Sequence, residues 1–273
     1  MCSGVDPLNI NLPYQDSRLS LANSPFELRG TFIVTGGTRG IGRAISERFA
    51  RSGARVIANY VRDENAAQEL LSSAAQEQLP ITICRADLTT PEGLNRIETH
   101  LGQSATPLAG IVHCAATGTH RTVESLTGRH LDWTFALNVR ALHELVTRLL
   151  SQFDRQSCIL AVSSLGATRA LPQYTAIGAS KGALEALIRH LAVELAPRGM
   201  RANALTPGAV ATEAWRAIPE GEARLAAAAQ RAPNGRLVTA DELALCAQFL
   251  CSPAAAGVNG QSLVVDGGTA IVA

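Results

Sequence analysis

The sequence predicts a single doubly wound α/β domain, in which a seven-stranded parallel sheet carries helices on both faces. Short β-branched runs alternate with amphipathic stretches from residue 29 onward, which is the pattern of repeated βα units. Several of these runs are almost wholly apolar, as parallel strands buried on both faces should be. The 273 residues suit one large domain, and a content of 47% hydrophobic and 17% charged residues excludes a disordered chain.

The predicted elements follow in order along the chain. Strands are expected at Thr31–Thr35, Arg55–Asn59, Ile81–Arg85, Ala109–His113, Ile159–Ser163, Arg201–Leu205 and Ser262–Val265. Helices are expected at about 41–52, 64–77, 91–101, 123–152, 174–196 and 239–251. Residues 1–28 lack periodicity and predict an N-terminal extension to a domain formed by 29–273. The Ala-rich helix Glu222–Arg231 interrupts the alternation, so residues 213–235 are expected to form a substrate lid.

Composition and charge exclude several classes of protein. A net charge of +1 gives no global field that favours nucleic acid or an anionic membrane, and no apolar run reaches the roughly 18–20 residues of a membrane helix. The six cysteines show no CxxC pairing and indicate reduced core thiols, while the six histidines lack metal-ligand spacing. We therefore expect a cytoplasmic protein that binds no nucleic acid, membrane or metal.

A glycine-rich loop, TGGTRGIG at 35–42, follows the first predicted strand and opens the first helix. Its glycines allow a tight turn and let the backbone approach a pyrophosphate, which then lies on the N-terminal amides of the helix. Because the strand precedes and the helix follows, the loop predicts a dinucleotide site. The expected contacts in the loop are Gly36, Thr38, Arg39, Gly40, Ile41 and Gly42.

The end of the second strand predicts which nicotinamide cofactor is bound. An NAD site usually places a carboxylate there, but Ala58–Arg62 contains no acid, and the first one is Asp63. Arg39 and Arg62 are placed to pair with a 2′-phosphate, and Asn59 is expected near the same ribose, so NADPH is the predicted cofactor. Arg62 could equally be a solvated residue at a helix start.

These motifs resemble the short-chain dehydrogenase/reductase superfamily, whose TGxxxGxG loop matches TGGTRGIG. Asp87-Leu88 resembles the family's adenine-contacting turn, the segment Pro207–Thr212 resembles the PGxxxT segment that holds the nicotinamide, and Val265–Gly268 resembles its closing strand. The resemblance covers residues 30–273 and implies a Rossmann fold. It also implies cofactor contacts at Asp87, Leu88, Ala115, Lys181, Pro207, Gly208, Val210 and Thr212.

Lys181 is the only lysine beside 23 arginines, which suggests a site that needs a compact ammonium. The resemblance implies that Lys181 binds the nicotinamide ribose, that Ser164 orients a carbonyl and that Asn138 is the family's structural asparagine. Most of the superfamily has a tyrosine four residues before the lysine, where this chain has Ile177. Isoleucine cannot donate a proton. The set of four residues that the family uses for carbonyl reduction (asparagine, serine, tyrosine and lysine) is therefore incomplete here.

Tyr174 stands seven residues before Lys181. On a helix, positions i and i+7 lie about 20° apart and roughly 10.5 Å along the axis, so the phenol shares a face with the amine but is displaced outward. In enoyl-thioester reduction, hydride adds to Cβ while charge develops on the more distant thioester oxygen, which suits a displaced donor. This Tyr-x6-Lys spacing and the segment 163–187 resemble FabL-type enoyl-acyl carrier protein reductases. The resemblance implies that Tyr174 stabilises the enolate, and that the protein is a homotetramer built in part through the helices at 130–152 and 174–196.

Other interpretations remain open at this point. The chain could be an atypical carbonyl reductase in which Ser164, water or a substrate hydroxyl supplies the proton, or a non-catalytic NADPH-binding module. Tyr174 could be an ordinary packing aromatic. His113-Cys114 replace the family's usual Asn-Asn, a departure from the resemblance. Five arginines could form a patch for the acidic surface of an acyl carrier protein, although solvated helix faces are the better interpretation. These are Arg121, Arg129, Arg216, Arg224 and Arg231.

Overall fold

The computed structural model describes residues 24–104, 106–213, 215 and 220–272. Its strands are β1 (Thr31–Thr35), β2 (Arg55–Tyr60), β3 (Ile81–Arg85), β4 (Leu108–His113), β5 (Phe153–Val162), β6 (Arg201–Pro207) and β7 (Ser262–Val265). They form one sheet in the order β3-β2-β1-β4-β5-β6-β7, and every neighbouring pair is parallel. The predicted seven-stranded parallel sheet is confirmed. The chain reverses its winding between β1 and β4, and ligands of open α/β sheets bind at such a switch point.

Eight α-helices connect and cover the strands of the described part of the chain. They are α1 (Gly40–Arg51), α2 (Glu64–Gln76), α3 (Pro91–Leu101), α4 (Gly128–Phe135), α5 (Ala141–Arg148), α6 (Thr175–Leu195), α7 (Gly221–Arg231) and α8 (Ala240–Cys251). Three of them begin at side-chain caps, which accept a backbone N–H of the first turn. These caps are Asp63 for α2, Thr90 for α3 and Thr239 for α8. None of the helices in the described residues is long and apolar enough to cross a membrane.

The single helix expected at 123–152 is wrong in extent and continuity. The helical stretch begins at Gly128 and ends at Arg148, and a five-residue π-helical turn, Ala136–Arg140, separates α4 from α5. The start is fixed by Thr127, whose backbone N–H donates to His130 Nδ1 at 3.1 Å. The end comes early because β5 begins at Phe153, six residues before the predicted strand, and pairs there with β4.

Alternate residues of the central strands point to opposite faces of the sheet, and each face buries its own apolar cluster. On β1, Ile33 belongs to one cluster, whereas Phe32 and Val34 belong to the other. Phe32 meets Phe49 of α1 edge to face, with ring centroids 5.0 Å apart. Helices therefore pack on both faces, as the sequence predicts for a doubly wound domain.

The last residues of the predicted N-terminal extension pack on this domain. Leu28 is buried and its N–H donates to the carbonyl of Ser52 at 3.0 Å. Phe26 contacts Phe249 of α8, with ring centroids 6.4 Å apart. Residues 1–23 of the extension lie outside the described residues, as do residues 214 and 216–219 of the predicted lid, which include Arg216. The described part of the lid contains α7, and its closing role stays a prediction.

Candidate active site

The glycine-rich loop packs against the carboxyl end of β4 through backbone contacts. Gly36 has a φ of +63°, and a Cβ built there would lie 3.1 Å from the backbone N and Cα of Ala115. A Cβ at Gly42 would lie 2.1 Å from the carbonyl oxygen of Gly36, so the loop also folds closely on itself. The N–H of Gly37 donates to the carbonyl of Asn59 at 2.9 Å and ties the loop to β2. The sequence therefore needs glycine here because backbone meets backbone.

The N-terminus of α1 is built to receive an anion. Arg39 occupies the N-cap position with no side-chain hydrogen bond to the first turn, and that turn contains no acidic residue. By contrast, α2, α3 and α8 each carry a side-chain cap and at least one acid in the first turn. The N-terminal amides and the positive end of the helix dipole fit a pyrophosphate.

The segment after β6 reaches the same loop. Gly208 packs against Asp266, where a Cβ would lie 2.9 Å from the Asp266 Cα, and Val210 pairs with Val238 in an isolated bridge. These contacts bring Thr212 beside Gly40, with its methyl 3.5 Å from where a Cβ would stand. The structure therefore brings Thr212 to the glycine-rich loop, whereas cofactor contacts of Pro207, Gly208 and Val210 stay predictions.

The turn after β3 is also ordered by its own side chains. Asp87 Oδ1 accepts the N–H of Thr89 at 3.0 Å and its hydroxyl at 2.7 Å, while Leu88 is buried in the core. Asn59 is buried as well, and its Nδ2 donates to the carbonyl of Ala86 at 2.9 Å. The contacts of these residues with a bound adenine or ribose stay predictions.

At the rim of the loop, Arg39 forms an exposed ion pair with Asp63 at 3.6 Å. Asp63 Oδ1 also caps α2 by accepting the N–H of Ala66 at 3.1 Å. Arg62 is exposed and makes no ion pair within the described part of the chain. The Asp63 carboxylate is therefore already engaged, and two guanidinium groups flank the end of β2.

The unusual His113-Cys114 pair is explained by a buried network. The Thr35 hydroxyl oxygen accepts the N–H groups of Cys114 at 3.1 Å and Ala115 at 3.0 Å, so its own proton goes to His113 Nδ1 at 3.0 Å. His113 Nε2 then donates to the carbonyl of Leu137 in the π-helical turn at 3.1 Å. Burial lowers the pKa of His113 to about 3, so the ring is neutral at neutral pH. Nδ1 then accepts the hydrogen bond from Thr35, and Nε2 donates the one to Leu137. His113 thus joins the β1–β4 edge to the turn.

Asn138, in the same π-helical turn, is fully buried and ties two segments together. Its Oδ1 accepts the N–H of Thr117 at 2.8 Å, and its Nδ2 donates to the carbonyl of Thr117 and to Ser180 Oγ. The Ser180 hydroxyl in turn donates a hydrogen bond to the carbonyl of Ile177 at 2.7 Å. The side chain is thus occupied in joining the β4–α4 segment to α6, which is a structural role.

Lys181 lies on α6 with its ammonium buried. Its Nζ donates to the carbonyl of Val162 at 2.7 Å, at the end of β5. Burial lowers the pKa of Lys181 to about 8, while the Cys114 thiol and the Glu185 carboxyl act in the opposite direction. Glu185 itself accepts the hydroxyl of Ser163 at 2.6 Å. The ammonium is therefore charged at neutral pH but loses its proton far more readily than a surface lysine does.

Tyr174 lies in a narrow slot made by two glycines. A Cβ at Gly166 would lie 2.5 Å from Tyr174 Cε1, and one at Gly178 would lie 3.5 Å from Cδ1, so the ring lies directly on backbone. The phenol donates to Ser164 Oγ at 3.2 Å, and the His120 ring lies 5.5 Å from the tyrosine ring. Burial raises the pKa of Tyr174, against the opposing effect of the Ser164 hydrogen bond, so the group is a protonated donor at neutral pH.

The position four residues before Lys181 holds only hydrocarbon. Ile177 is 9% exposed, and a Cβ at Gly118 would lie 2.3 Å from its Cγ1 and 3.5 Å from the methyl of Thr134. Tyr174 is therefore the phenol that meets Ser164. The sequence analysis named Thr35 as part of the loop and His113 as a departure from the family. It did not predict that Thr35, His113 and Ser180 support the site through hydrogen bonds, because these bonds join segments that are distant in sequence.

Comparison with known proteins identifies the family. The family model described as enoyl-(acyl carrier protein) reductase matches residues 36–270. The chain belongs to the short-chain dehydrogenase/reductase family. It is an oxidoreductase of this family, and the predicted resemblance is confirmed.

Curated relatives within the family carry different reductase names. The chain is 32% identical to 1-cyclohexenylcarbonyl-CoA reductase of Streptomyces collinus, over 90% of this chain and 88% of that protein. It is 31% identical to a tropinone reductase homologue of Arabidopsis thaliana, over 88% and 91%.

Solved structures show the same fold over nearly the whole chain. A short-chain dehydrogenase of Burkholderia cenocepacia in complex with NADP is 27% identical with a TM-score of 0.80, over 90% of this chain and 99% of that one. The L-sorbose reductase of Gluconobacter frateurii, complexed with NADPH and L-sorbose, is 25% identical with a TM-score of 0.84, over 92% and 100%. The residues around the phosphate loop of this dehydrogenase/reductase fit a nicotinamide dinucleotide.

Proposed function

We propose that this protein reduces the 2,3-double bond of a 2-enoyl thioester with NADPH. The observation that carries the proposal is the placement of the Tyr174 hydroxyl on Ser164, while Ile177 fills the position of the usual tyrosine. The similarity to an enoyl-type CoA reductase over 90% of the chain supports the same substrate class.

The reaction needs a donor at the thioester oxygen. When bound, the reduced nicotinamide supplies a hydride. Addition of that hydride at Cβ moves the π electrons through Cα onto the thioester oxygen, where the Tyr174 hydroxyl donates to the developing enolate. Uptake of a proton at Cα, from Tyr174 or from water, completes the saturated thioester. A preorganised donor of this kind contributes roughly 10²–10³ in kcat.

The other predicted catalytic residues hold the cofactor and the tyrosine. The Lys181 ammonium binds the ribose hydroxyls and adds positive charge near the reacting atoms. Ser164 orients the phenol through the hydrogen bond between the two hydroxyl groups, which the phenol releases when it donates to the enolate, and Asn138 fixes the β4–α4 segment against α6.

The arginines at the end of β2 support NADPH as the cofactor. The exposed Arg39–Asp63 pair is weak enough for Arg39 to turn to a 2′-phosphate, and Arg62 has no competing ion pair among the described residues. Asp63 is held at the start of α2, which favours a phosphate over a free ribose diol.

The partners follow from the same proposal. We propose a 2-enoyl thioester substrate carried by coenzyme A or acyl carrier protein, and a homotetramer built in part through the helices of 130–152, which are α4 and α5, and through α6. Val193 on α6 is 75% exposed, which supports such an interface. The five described cysteines are free thiols, which supports a cytoplasmic location.

A carbonyl reductase is the second candidate. Ser164, the residue that orients a carbonyl in the family, is present, and the chain resembles a tropinone reductase homologue at 31% identity. A non-catalytic NADPH-binding module is a third possibility, because the phosphate loop does not depend on Tyr174.

One assay separates the three. NADPH oxidation is followed with crotonyl-thioester and acetoacetyl-thioester side by side, after fluorescence titration has shown that NADPH binds. We expect turnover of the crotonyl substrate. Turnover of the acetoacetyl substrate alone would favour the carbonyl reductase, and turnover of neither by an NADPH-binding protein would favour the binding module.

A further inference from the structure

His120 forms the outer wall of the Tyr174 slot. Its imidazole ring lies 5.5 Å from the tyrosine ring at an interplanar angle of 52°, while Gly166 lies against the phenol. The neighbouring Arg121 N–H donates to the carbonyl of Gln173 at 3.1 Å. The segment that carries His120 is therefore fixed to the residue immediately before the tyrosine.

Two polar atoms of this segment have no hydrogen-bond partner among the described residues. They are His120 Nδ1 and the hydroxyl oxygen of Thr119, and both are shielded from solvent. Shielded polar atoms in native proteins almost always have partners, so each exception needs an explanation. Two adjacent exceptions beside the proposed donor indicate a surface that a polar substrate group completes.

The positive charge of Arg224 on α7 acts on the His120 ring. Burial lowers the pKa of His120, and the positive charge of Arg224 on α7 lowers it further. The ring is therefore neutral at neutral pH and carries one N–H. His120 is thus a neutral ring that contacts Tyr174 and is close enough to α7 to feel the charge of Arg224.

We propose that His120 is a second catalytic donor, whose Nδ1–H hydrogen-bonds the thioester oxygen beside the Tyr174 hydroxyl. The proposal rests on the proposed enoyl reduction and adds a residue to it. Two fixed donors on one oxygen stabilise the enolate more than the neutral thioester, because charge develops on that oxygen only after hydride addition. The expected substrates are thus thioesters whose carbonyl can reach both groups.

Two substitutions separate hydrogen bonding from packing. His120→Phe keeps a ring against Tyr174 but removes both nitrogens, whereas His120→Asn loses the ring and keeps a polar donor near the Nδ1 position. We expect His120→Phe to lower kcat for crotonyl-thioester by roughly 10²-fold with little change in KM. His120→Asn should retain most of the lost activity. The opposite order would overturn the proposal, because it would assign His120 to packing alone.

A double-mutant cycle with Tyr174→Phe gives the second test. If His120 contacts the oxygen itself, His120→Phe lowers the residual kcat further in the Tyr174→Phe background. If it acts only by holding the phenol, the second substitution has no further effect, and the proposal is wrong. His100→Phe, on α3 and outside both the Tyr174 slot and the proposed tetramer interface, is the matched control and should leave kcat unchanged.

NADPH affinity, measured by fluorescence, should be the same for all these variants. The two proposals fail separately. Wild-type turnover of crotonyl-thioester together with an unaffected His120→Phe variant rejects only the histidine. Absence of any wild-type turnover of enoyl thioesters rejects the proposed function, and the histidine's role with it.

Discussion

The phosphate loop and the Tyr174 slot both depend on glycine, but for different reasons. In the loop, Gly36 and Gly42 allow backbone to meet backbone, and the groups expected to bind the cofactor are main-chain amides. In the slot, Gly166 makes room for a side-chain ring whose hydroxyl performs the proposed chemistry. The loop therefore serves any dinucleotide reaction, whereas the slot determines where a proton donor stands.

The two regions also differ in how they are assembled. The loop is one continuous run of eight residues, 35–42, that extends from the last residue of β1 into the first turn of α1. The slot combines two neighbouring segments, a 3₁₀ turn after β5 and the start of α6, with the β4–α4 segment, which is far from both in sequence. Changes in the slot should therefore affect turnover while leaving cofactor binding intact, and changes around the loop should do the reverse.

The largest effect is expected from Tyr174→Phe. The ring still fits its slot, and Ser164 Oγ still accepts the N–H of Gly166 at 3.1 Å, so the fold should be retained. Loss of the donor should lower kcat for crotonyl-thioester by roughly 10²–10³ with unchanged NADPH affinity. Steady-state kinetics and fluorescence titration measure the two quantities. An unchanged kcat would remove Tyr174 from the mechanism.

Lys181, which lies where the two regions meet, should make stability depend on pH. Its folded pKa of about 8 lies below the ordinary value of 10.5, so between these values the unfolded chain binds the additional proton. The free energy of unfolding should therefore rise with pH across this window, by up to about 3 kcal/mol from this group. Below pH 8 the cost of burying the charge is fully present.

Lys181→Met should abolish this rise. Because Lys181 is the only lysine, no other amine of a side chain titrates in the window. Urea unfolding of both proteins without cofactor, at pH 7 and pH 10, measures the difference between their slopes. Lys181→Met also removes the hydrogen bond from Nζ to the carbonyl of Val162, which changes the free energy of unfolding wherever the lysine is charged. The two proteins are therefore compared by how much their free energies of unfolding change between pH 7 and pH 10. Equal slopes for the two proteins would contradict the depressed pKa.

A methyl group in the slot should have a smaller effect. In Gly166→Ala, the new Cβ would lie 2.5 Å from Tyr174 Cε1, so the ring must move away from Ser164. Misplacement of a catalytic group by about 1 Å can cost up to roughly 10²-fold, and we expect kcat to fall by roughly 10–100-fold. Gly128→Ala is the matched control, because a Cβ there meets nothing within 4 Å. Equal kcat values for the two variants would show that the slot tolerates displacement of the phenol.

The sequence predicted the sheet and the loop because both rest on local patterns. All seven strands lie where apolar runs predicted them, and the loop follows β1 as expected. The π-helical turn around Asn138 was missed, because one extra residue in a helical turn leaves the apolar periodicity nearly unchanged. The early start of β5 was missed because Phe153–Ser157 is largely polar and its pairing with β4 is a tertiary contact.

The slot could be predicted only in part. The Tyr174–Lys181 spacing pointed to a displaced phenol, and the structure shows that phenol on Ser164. The roles of Gly166 and His120 were not visible, because they depend on which segments the sheet brings together. Contacts between segments that are distant in sequence leave no periodic pattern in the sequence itself.

The smallest effect is expected at the rim of the loop, from Arg39→Ala combined with Arg62→Ala. Both guanidinium groups are exposed, so each contact with a 2′-phosphate is screened by solvent, and the preference for NADPH over NADH should fall by roughly tenfold. The Kd values of both cofactors measure this directly, and kcat at saturating cofactor should stay unchanged. Arg29→Ala, which removes another exposed arginine, is the control. If the double variant keeps its preference, the 2′-phosphate is recognised elsewhere in the loop; if it binds both cofactors less tightly by the same factor, the arginines act on the pyrophosphate.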